Sequence, residues 1–281
     1  MPRPTTADKR RIFRDLHKSG CFIIPNPWDV GSARYLQSLG FKALATTSSG
    51  FAFSQGYADG GTPLDMVIAH CRTLSEESDL PVNVDFESGY AADLNGIACN
   101  VRRCIDTGIA GLSIEDATGN PAAPLYPLDD AVARMKVARK AIDDSGQDVL
   151  LVGRAEGFLV GKPDLDETIR RLKAYSAAGA DCLYAPLIKT REQIEKMVQA
   201  VSPKPLNFLN SASFGFSVDD LAGMGVRRIS VGGSLARTAW TAFTHAAREI
   251  AERGTFESFA GTISNAELNK FFGEDRKRRA P

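Results

Sequence analysis

Residues 82–116 read VNVDFESGYAADLNGIACNVRRCIDTGIAGLSIED. Two short apolar runs, Val82–Asp85 and Gly111–Glu115, flank a longer amphipathic segment, Asn95–Thr107, that stops at Gly108. An apolar run, a helix with a glycine stop and a second apolar run form a β-α-β unit with parallel strands. Both runs finish in carboxylates, so the unit carries chemistry where its strands end.

The same punctuation continues in both directions. Further strand candidates are Cys21–Pro25, Ala43–Thr47, Val149–Arg154, Cys182–Ala185, Leu206–Leu209 and Arg228–Val231, and Gly40, Gly179 and Gly225 close intervening helices. Each run is apolar enough to be buried on both faces. Eight such units predict a (β/α)8 TIM-type barrel, a fold that runs to roughly 250 residues as one domain. The alternative is a doubly wound open sheet. The barrel spans about residues 20–253, preceded by a polar helix at Thr6–Ser19 and followed by a helical extension, about 254–281. Two short helices are expected there, Phe256–Gly261 and Ser264–Phe272. Phe256, Phe259, Phe271 and Phe272 argue that the extension packs on the barrel or on a neighbouring subunit, which favours a homo-oligomer.

With 43% hydrophobic and 24% charged residues among 281, the chain can bury a full core. It has 34 acidic and 34 basic residues, which gives no drive toward nucleic acid or anionic lipid. No apolar run approaches the ~20 residues of a membrane span, and the charged start lacks a secretory apolar segment. A cytoplasmic protein is expected. The five scattered cysteines contain no C-x-x-C pair, and the three histidines lie far apart, so neither zinc nor a histidine-based nucleophile is indicated.

In a barrel of this kind the reacting groups sit at the C-terminal strand ends. There Asp85 and Glu87 lie two apart, which places them on one side if the segment stays extended. Glu115 and Asp116 close the fourth strand, and the loop after the second supplies Asp59. Converging carboxylates repel unless neutralised, and hard oxygen ligands without a His/Cys cluster select Mg²⁺ or Mn²⁺. Asp85 is expected to bind the metal directly, with Asp59, Glu87 and Glu115 holding metal-bound waters. Arg154 ends the fifth strand and suits a substrate carboxylate. Thr46-Thr47-Ser48-Ser49-Gly50 offers hydroxyls and N–H groups to a carboxylate or enolate oxygen, although an ordinary polar turn reads the same. Thr118, Asn120 and Tyr126 are loop candidates for proton delivery, and Asn207, Asn210, Phe214 and Phe216 are candidates for lining the pocket.

The segments NPWDVGSARYLQSLGFKALATTSSGFAFSQGYADG (26–60), VNVDFESGY, GLSIED and VGRAE (152–156) resemble the isocitrate lyase/phosphoenolpyruvate mutase superfamily in kind and order. That resemblance implies a (β/α)8 barrel, often tetrameric with a helix exchanged between subunits, and Mg²⁺-dependent chemistry on small oxo- or hydroxy-acids through an enolate-like intermediate. It puts Asp85 on the direct metal position and Asp59, Glu87 and Glu115 on the outer acidic ones. Thr47, Ser48 and Ser49 fall on the substrate-oxygen segment, and Arg154 on the carboxylate-binding arginine. The loop EDATGNPAAPLYPLDD departs from the pattern. It lacks the Lys-(Lys/Arg)-Cys-Gly-His motif of isocitrate and methylisocitrate lyases. It also has Ala117 and Thr118 where phosphonopyruvate-handling members carry a lysine. What is implied is an oxaloacetate decarboxylase-like enzyme or a carbon–carbon lyase for small substituted malates or oxoacids. The alternatives are a phosphonopyruvate- or phosphoenolpyruvate-handling enzyme, a non-catalytic oxoacid binder, and a Schiff-base aldolase, which needs a lysine projecting from a barrel strand whereas Lys42 lies at a strand start and Lys189 beyond the sixth strand.

Overall fold

The computed structural model describes residues 3–279, so Ala280 and Pro281 of the expected extension lie outside the described residues. The elements are α1 (Thr6–Leu16), β1 (Phe22–Ile24), α2 (Val30–Ser38), β2 (Leu44–Ala45), α3 (Ser48–Ser54), α4 (Leu64–Glu77) and β3 (Val82–Asp85). They continue with α5 (Leu94–Ile105), β4 (Gly111–Glu115), α6 (Leu128–Asp144), β5 (Leu150–Arg154), α7 (Leu165–Ala177), β6 (Cys182–Tyr184) and α8 (Arg191–Val201). β7 (Leu206–Leu209), α9 (Val218–Gly223), β8 (Arg228–Ser230), α10 (Ser234–Arg253) and α11 (Asn265–Arg279) complete the chain.

All eight strands are parallel, in the order β1-β8-β7-β6-β5-β4-β3-β2. The pairing of β1 with β8, with Ile23 opposite Ile229, excludes the open doubly wound sheet. β1 and β2 meet through one backbone bond, Ala45 N to Pro25 O at 3.0 Å. Asn26 reinforces that seam: its Nδ2 donates to Thr46 O at 2.8 Å, while its Oδ1 accepts from Val231 N and Gly232 N at 2.9 Å. One asparagine thus joins the ends of β1, β2 and β8, and the result is a (β/α)8 barrel.

Alternation along each strand separates two environments. Val84, Leu112, Ile114, Leu151, Leu183 and Phe208 face outward into the buried layer shared with Ile97, Met135, Leu172, Tyr175 and Met197. Their neighbours Asn83, Asp85, Ser113, Arg154, Tyr184, Asn207, Arg228 and Ser230 point inward and line a cavity. Gly153 brings α7 close to β5: a Cβ there would lie 2.8 Å from Tyr175 Cβ and 3.1 Å from Ala180 Cβ.

Some elements differ from expectation. SSGFAFS is a helix rather than a polar turn, because Thr47 caps it by accepting from Gly50 N at 3.2 Å. α1 ends at Leu16, the expected helix at Phe256–Gly261 shrinks to a 3-10 turn at Glu257–Phe259, and α11 runs on to Arg279. α11 packs on its own barrel through Arg34–Asp275 at 2.6 Å and Phe271 against Tyr35. α10 buries only Ala236 and Glu249 and leaves Trp240, Phe243 and Ile250 exposed. No described helix is long and apolar enough to cross a membrane.

At the barrel floor, His17 lies between the rings of Phe13 and Phe22. Its Nδ1 sits 2.7 Å from the Phe13 carbonyl, which can only accept, so Nε2 is left to accept from Arg228 Nη1 at 3.4 Å. Burial, with the Arg228 charge adding to it, pushes the imidazole pKa down to about 3 from 6.5. Between those values the unfolded chain binds a proton that the folded chain refuses, so stability falls as pH drops from 6.5 toward 3. Urea unfolding at stepped pH checks this: His17→Gln should flatten the dependence across that window.

Candidate active site

A cavity of about 260 Å³ opens at the C-terminal strand ends, lined on one side by Thr46–Ser49, Asp59, Asp85, Arg154 and Tyr184. Arg154 is its electrostatic centre. Its Nη1 lies 3.0 Å from Asp85 Oδ1 and 3.2 Å from Glu115 Oε2, its Nε donates to Glu156, and its guanidinium sits 5.1 Å from the centre of the Tyr184 ring. Burial works against its charge, but Glu115, Glu156 and Asp85 outweigh this and hold its pKa well above the usual arginine value. Glu156 was missed in the sequence, although it stands two residues beyond Arg154.

Asp85 is held by its surroundings: its N–H donates to Thr46 Oγ1 at 2.8 Å, and its Oδ2 faces Ser48 N at 3.4 Å. Asp85 therefore meets the N-terminus of α3, with Thr47 Oγ1 and Ser49 Oγ 3.2 Å apart beside it. Glu87 reaches this region by a different route from the one expected. β3 ends at Asp85, and Glu87 has φ +44°, so a left-handed turn rather than strand alternation brings it in. Asn100 fixes that turn by donating to Gly89 O and Tyr90 O at 3.0 Å, and Arg134 holds Ser88 O and Ala91 O.

Glu87, Glu115, Glu156 and Asp59 titrate high. Burial raises the Glu87 pKa to about 6 against a Tyr90 hydroxyl bond of 2.6 Å, and the charges of Asp85 and Asp59 add to the shift. Burial likewise raises Glu115 and Glu156 against the pull of Arg154. Asp59 is raised by desolvation and the charge of Asp85, with the Ser48 hydroxyl opposing.

Other expected residues lie elsewhere. Thr118 bonds within its own loop, donating to Ala123 O at 2.6 Å, and none of Thr118, Asn120 and Tyr126 lines the cavity. Asn207 lines the floor with both amide atoms engaged, Nδ2 to Ser230 Oγ and Oδ1 from Arg228 Nε. Phe214 and Phe216 pack edge-on against Phe208. Asp116, adjacent to Glu115, points away from the barrel axis and accepts from Glu156 N at 2.7 Å, Arg171 Nη1 at 3.0 Å and Tyr175 Oη at 2.5 Å. It is a structural acid that anchors the backbone beside Glu156.

Among the described residues no three His, Cys, Asp or Glu side chains converge tightly enough to cage a metal by themselves. Mg²⁺ does not need such a cage, since it takes one or two carboxylates and keeps several waters. Asp85 could hold it directly, with Asp59, Glu87 and Glu115 reaching it through water. The donor set fits: it is all hard oxygen, and burial first, with neighbouring carboxylate charges adding to it, makes Asp59, Glu87 and Glu115 titrate high.

The phosphoenolpyruvate phosphomutase family profile matches residues 13–251. The chain belongs to the phosphoenolpyruvate mutase/isocitrate lyase superfamily. It is 31% identical to an oxaloacetate decarboxylase of Bradyrhizobium diazoefficiens, covering 92% of this chain and 90% of that one. To the 2-methylisocitrate lyase of Escherichia coli K12 it is 28% identical over 84% of this chain and 81% of that one. A Burkholderia cenocepacia J2315 structure, provisionally described as a lyase/mutase, superposes with TM-score 0.90 at 42% identity, covering 95% and 96% of the two chains. The family and these relatives are enzymes of the lyase and mutase group.

Asp116→Ala tests the division of labour between the paired acids. It leaves Arg171 and the Glu156 N–H without their buried acceptor and should cost about 3 kcal/mol in chemical denaturation. Glu115→Gln, facing Arg154 and keeping a side-chain oxygen there, should cost far less stability.

Proposed function

We propose that the chain is a Mg²⁺-dependent carbon–carbon lyase or decarboxylase for a small 2-oxo or 2-hydroxy carboxylic acid, releasing pyruvate or a related oxoacid. The observation that carries this reading is one polar cavity in which Asp85, the Thr47–Ser49 segment and Arg154 face each other. The oxaloacetate decarboxylase and methylisocitrate lyase relatives support it. When bound, Mg²⁺ supplies a Lewis acid that stabilises the enolate-like charge developing beside the broken bond.

The chain's own groups do the rest. Thr46 fixes the Asp85 backbone, and Ser48 and Ser49 orient the substrate's carboxylate end. Glu156 holds the Arg154 guanidinium at the strand end, where it adds positive charge beside the developing anion. Tyr184 lines the cavity, and burial first of all keeps its phenol protonated, so it can return a proton to the released carbon. No lysine lines the cavity among the described residues, which disfavours a Schiff base. All five cysteines are free, which suits a cytoplasmic enzyme.

The test is pyruvate release from oxaloacetate and substituted malates, with Mg²⁺ or EDTA. Turnover should need metal and fall at least about a hundredfold in Asp85→Ala. Tyr184→Phe should lower kcat by about the same factor with KM little changed. No turnover of any substrate would favour phosphonate chemistry, and tight oxalate binding without turnover would favour a binding role.

The exposed apolar side of α10 supports a homo-oligomer, a tetramer with this helix exchanged. Phe243 is 61% exposed in the single chain, and Trp240 packs edge-on against it. Light scattering should give four chains of 30.3 kDa, and Phe243→Glu should shift the population to smaller species.

A further inference from the structure

A second, much smaller chamber lies behind the wall that carries Asp85. Thr46–Ser48 and Asp85 line both the large cavity and this chamber, so the two share that wall. The loop before α4 and α4 itself contribute Thr62, His70 and Cys71, and the turn after β3 contributes Glu87 and Tyr90. Tyr90 Oη and Glu87 serve each other through a 2.6 Å hydrogen bond. Thr62 Oγ1 and His70 Nε2 are buried, and no protein group among the described residues bonds to either. Buried polar atoms left without partners are costly and rare. The chamber measures about 10 Å³, which is at the threshold for one water molecule, roughly 10–15 Å³.

His70 is held so that its Nε2 keeps this aim. Its ring lies flat on Phe51, with centres 3.9 Å apart and 12° between the planes, and turning it would break that stack. Burial lowers its pKa to about 4 against the charge of Asp29, which leaves the imidazole neutral near pH 7. In either neutral tautomer Nε2 can bond to a water, as donor or as acceptor. Tyr90 has given its hydrogen to Glu87, and its oxygen keeps a lone pair for a third bond.

Thr62 matters because of the loop it belongs to. Residues 55–63 join α3 to α4 and carry Asp59, and all of them are exposed except Thr62, at 6%. The backbone bonds of the Asp59 turn are short-range, Tyr57 N to Ala52 O at 2.9 Å and Gly61 N to Ala58 O at 3.0 Å. Thr62 is thus the one buried side chain by which the loop can be tied to α4.

We propose that one ordered water bridges Thr62 Oγ1 to His70 Nε2 and pins the Asp59 turn against α4. Thr62 and His70 are then positioning residues, acting through the loop rather than on substrate. The bridge itself stands on packing and hydrogen bonding alone. Its consequence for metal binding rests on the reading of Asp59 as a holder of metal-bound water.

A double-mutant cycle on the full chain tests the bridge, using urea unfolding of Thr62→Val, His70→Phe and the two combined. Each substitution keeps the bulk of the side chain and removes its polar atom. With a bridging water, each single variant should unfold at a lower urea concentration than the wild type. The double variant should lose clearly less than the sum, because the second substitution removes a group that the first had already stranded. A dry chamber predicts the reverse, since replacing an unpartnered polar atom by carbon should hold or raise the midpoint. That result, or additive losses, would overturn the bridge. Amide hydrogen exchange reads the pinning: residues 57–62 should exchange faster in Thr62→Val while β3, β4 and β5 stay unchanged, and unaltered exchange in that loop would overturn it. Calorimetry with Mg²⁺ alone separates the two readings. Affinity about tenfold weaker in Thr62→Val would support the role given to Asp59. Unchanged affinity beside faster loop exchange would count against that role and leave the water bridge standing.

Discussion

The structure depends on one buried guanidinium. Arg154 stands among Asp85, Glu115 and Glu156, and β4 sets Glu115 directly opposite it in register. Taking any of these charges out of water costs several kcal/mol, and the cost is offset only when the partners are close and well oriented. Three adjacent strand ends supply that closeness without extra ordering, because the barrel has already fixed their backbones. Asp59 and Glu87 add negative charge that Arg154 alone does not balance. The same imbalance that would strain an ordinary core suits the mouth to the divalent cation proposed for it.

Glu115 and Asp116 show how adjacent acids acquire different roles. Strand alternation turns Glu115 toward Arg154 and Asp116 toward Arg171 and Tyr175 on α7. Asp116 then accepts the Glu156 N–H, so the structural acid positions the backbone of the residue that orients Arg154. The geometry of the candidate site at the mouth therefore rests on a buried bond outside the barrel.

The strands were legible because both their faces are buried, which leaves short apolar runs between glycine stops. All eight fell within the runs read from sequence, trimmed by a residue or two at some ends. Asp85, Glu115 and Arg154 were legible for the same reason, since they close those runs. Glu87 was read into the right place by the wrong geometry, because nothing in VNVDFESGY signals a left-handed residue at a glutamate. Thr118 drew attention as a loop hydroxyl, but a carbonyl five residues on captures it. Arg237, which lines the cavity from the first turn of α10, gave no such signal: it follows the last strand by a full helical turn, where strand-end reasoning does not reach. The Gly232-Gly233 pair was the available clue, since two glycines before a long helix mark a close backbone approach.

The interior of this barrel is unlike the usual stack of bulky branched side chains. Below the mouth, Ala45, Asn83, Ser113, Asn207 and Arg228 line the space, and several are small or polar. Stability must then come chiefly from the layer between strands and helices, where Ile97, Leu112, Met135, Leu172 and Phe208 are buried. That division leaves room on the axis for charge beside a small inward apolar cluster of Val152, Cys182, Tyr184 and Leu209. It also accounts for the engaged state of Asn207: with both amide atoms bonded across β7 and β8, it closes a polar floor that would otherwise leave Arg228 facing fewer acceptors. The floor fixes β8, β8 sets the start of α10, and the start of α10 sets where Arg237 meets the cavity.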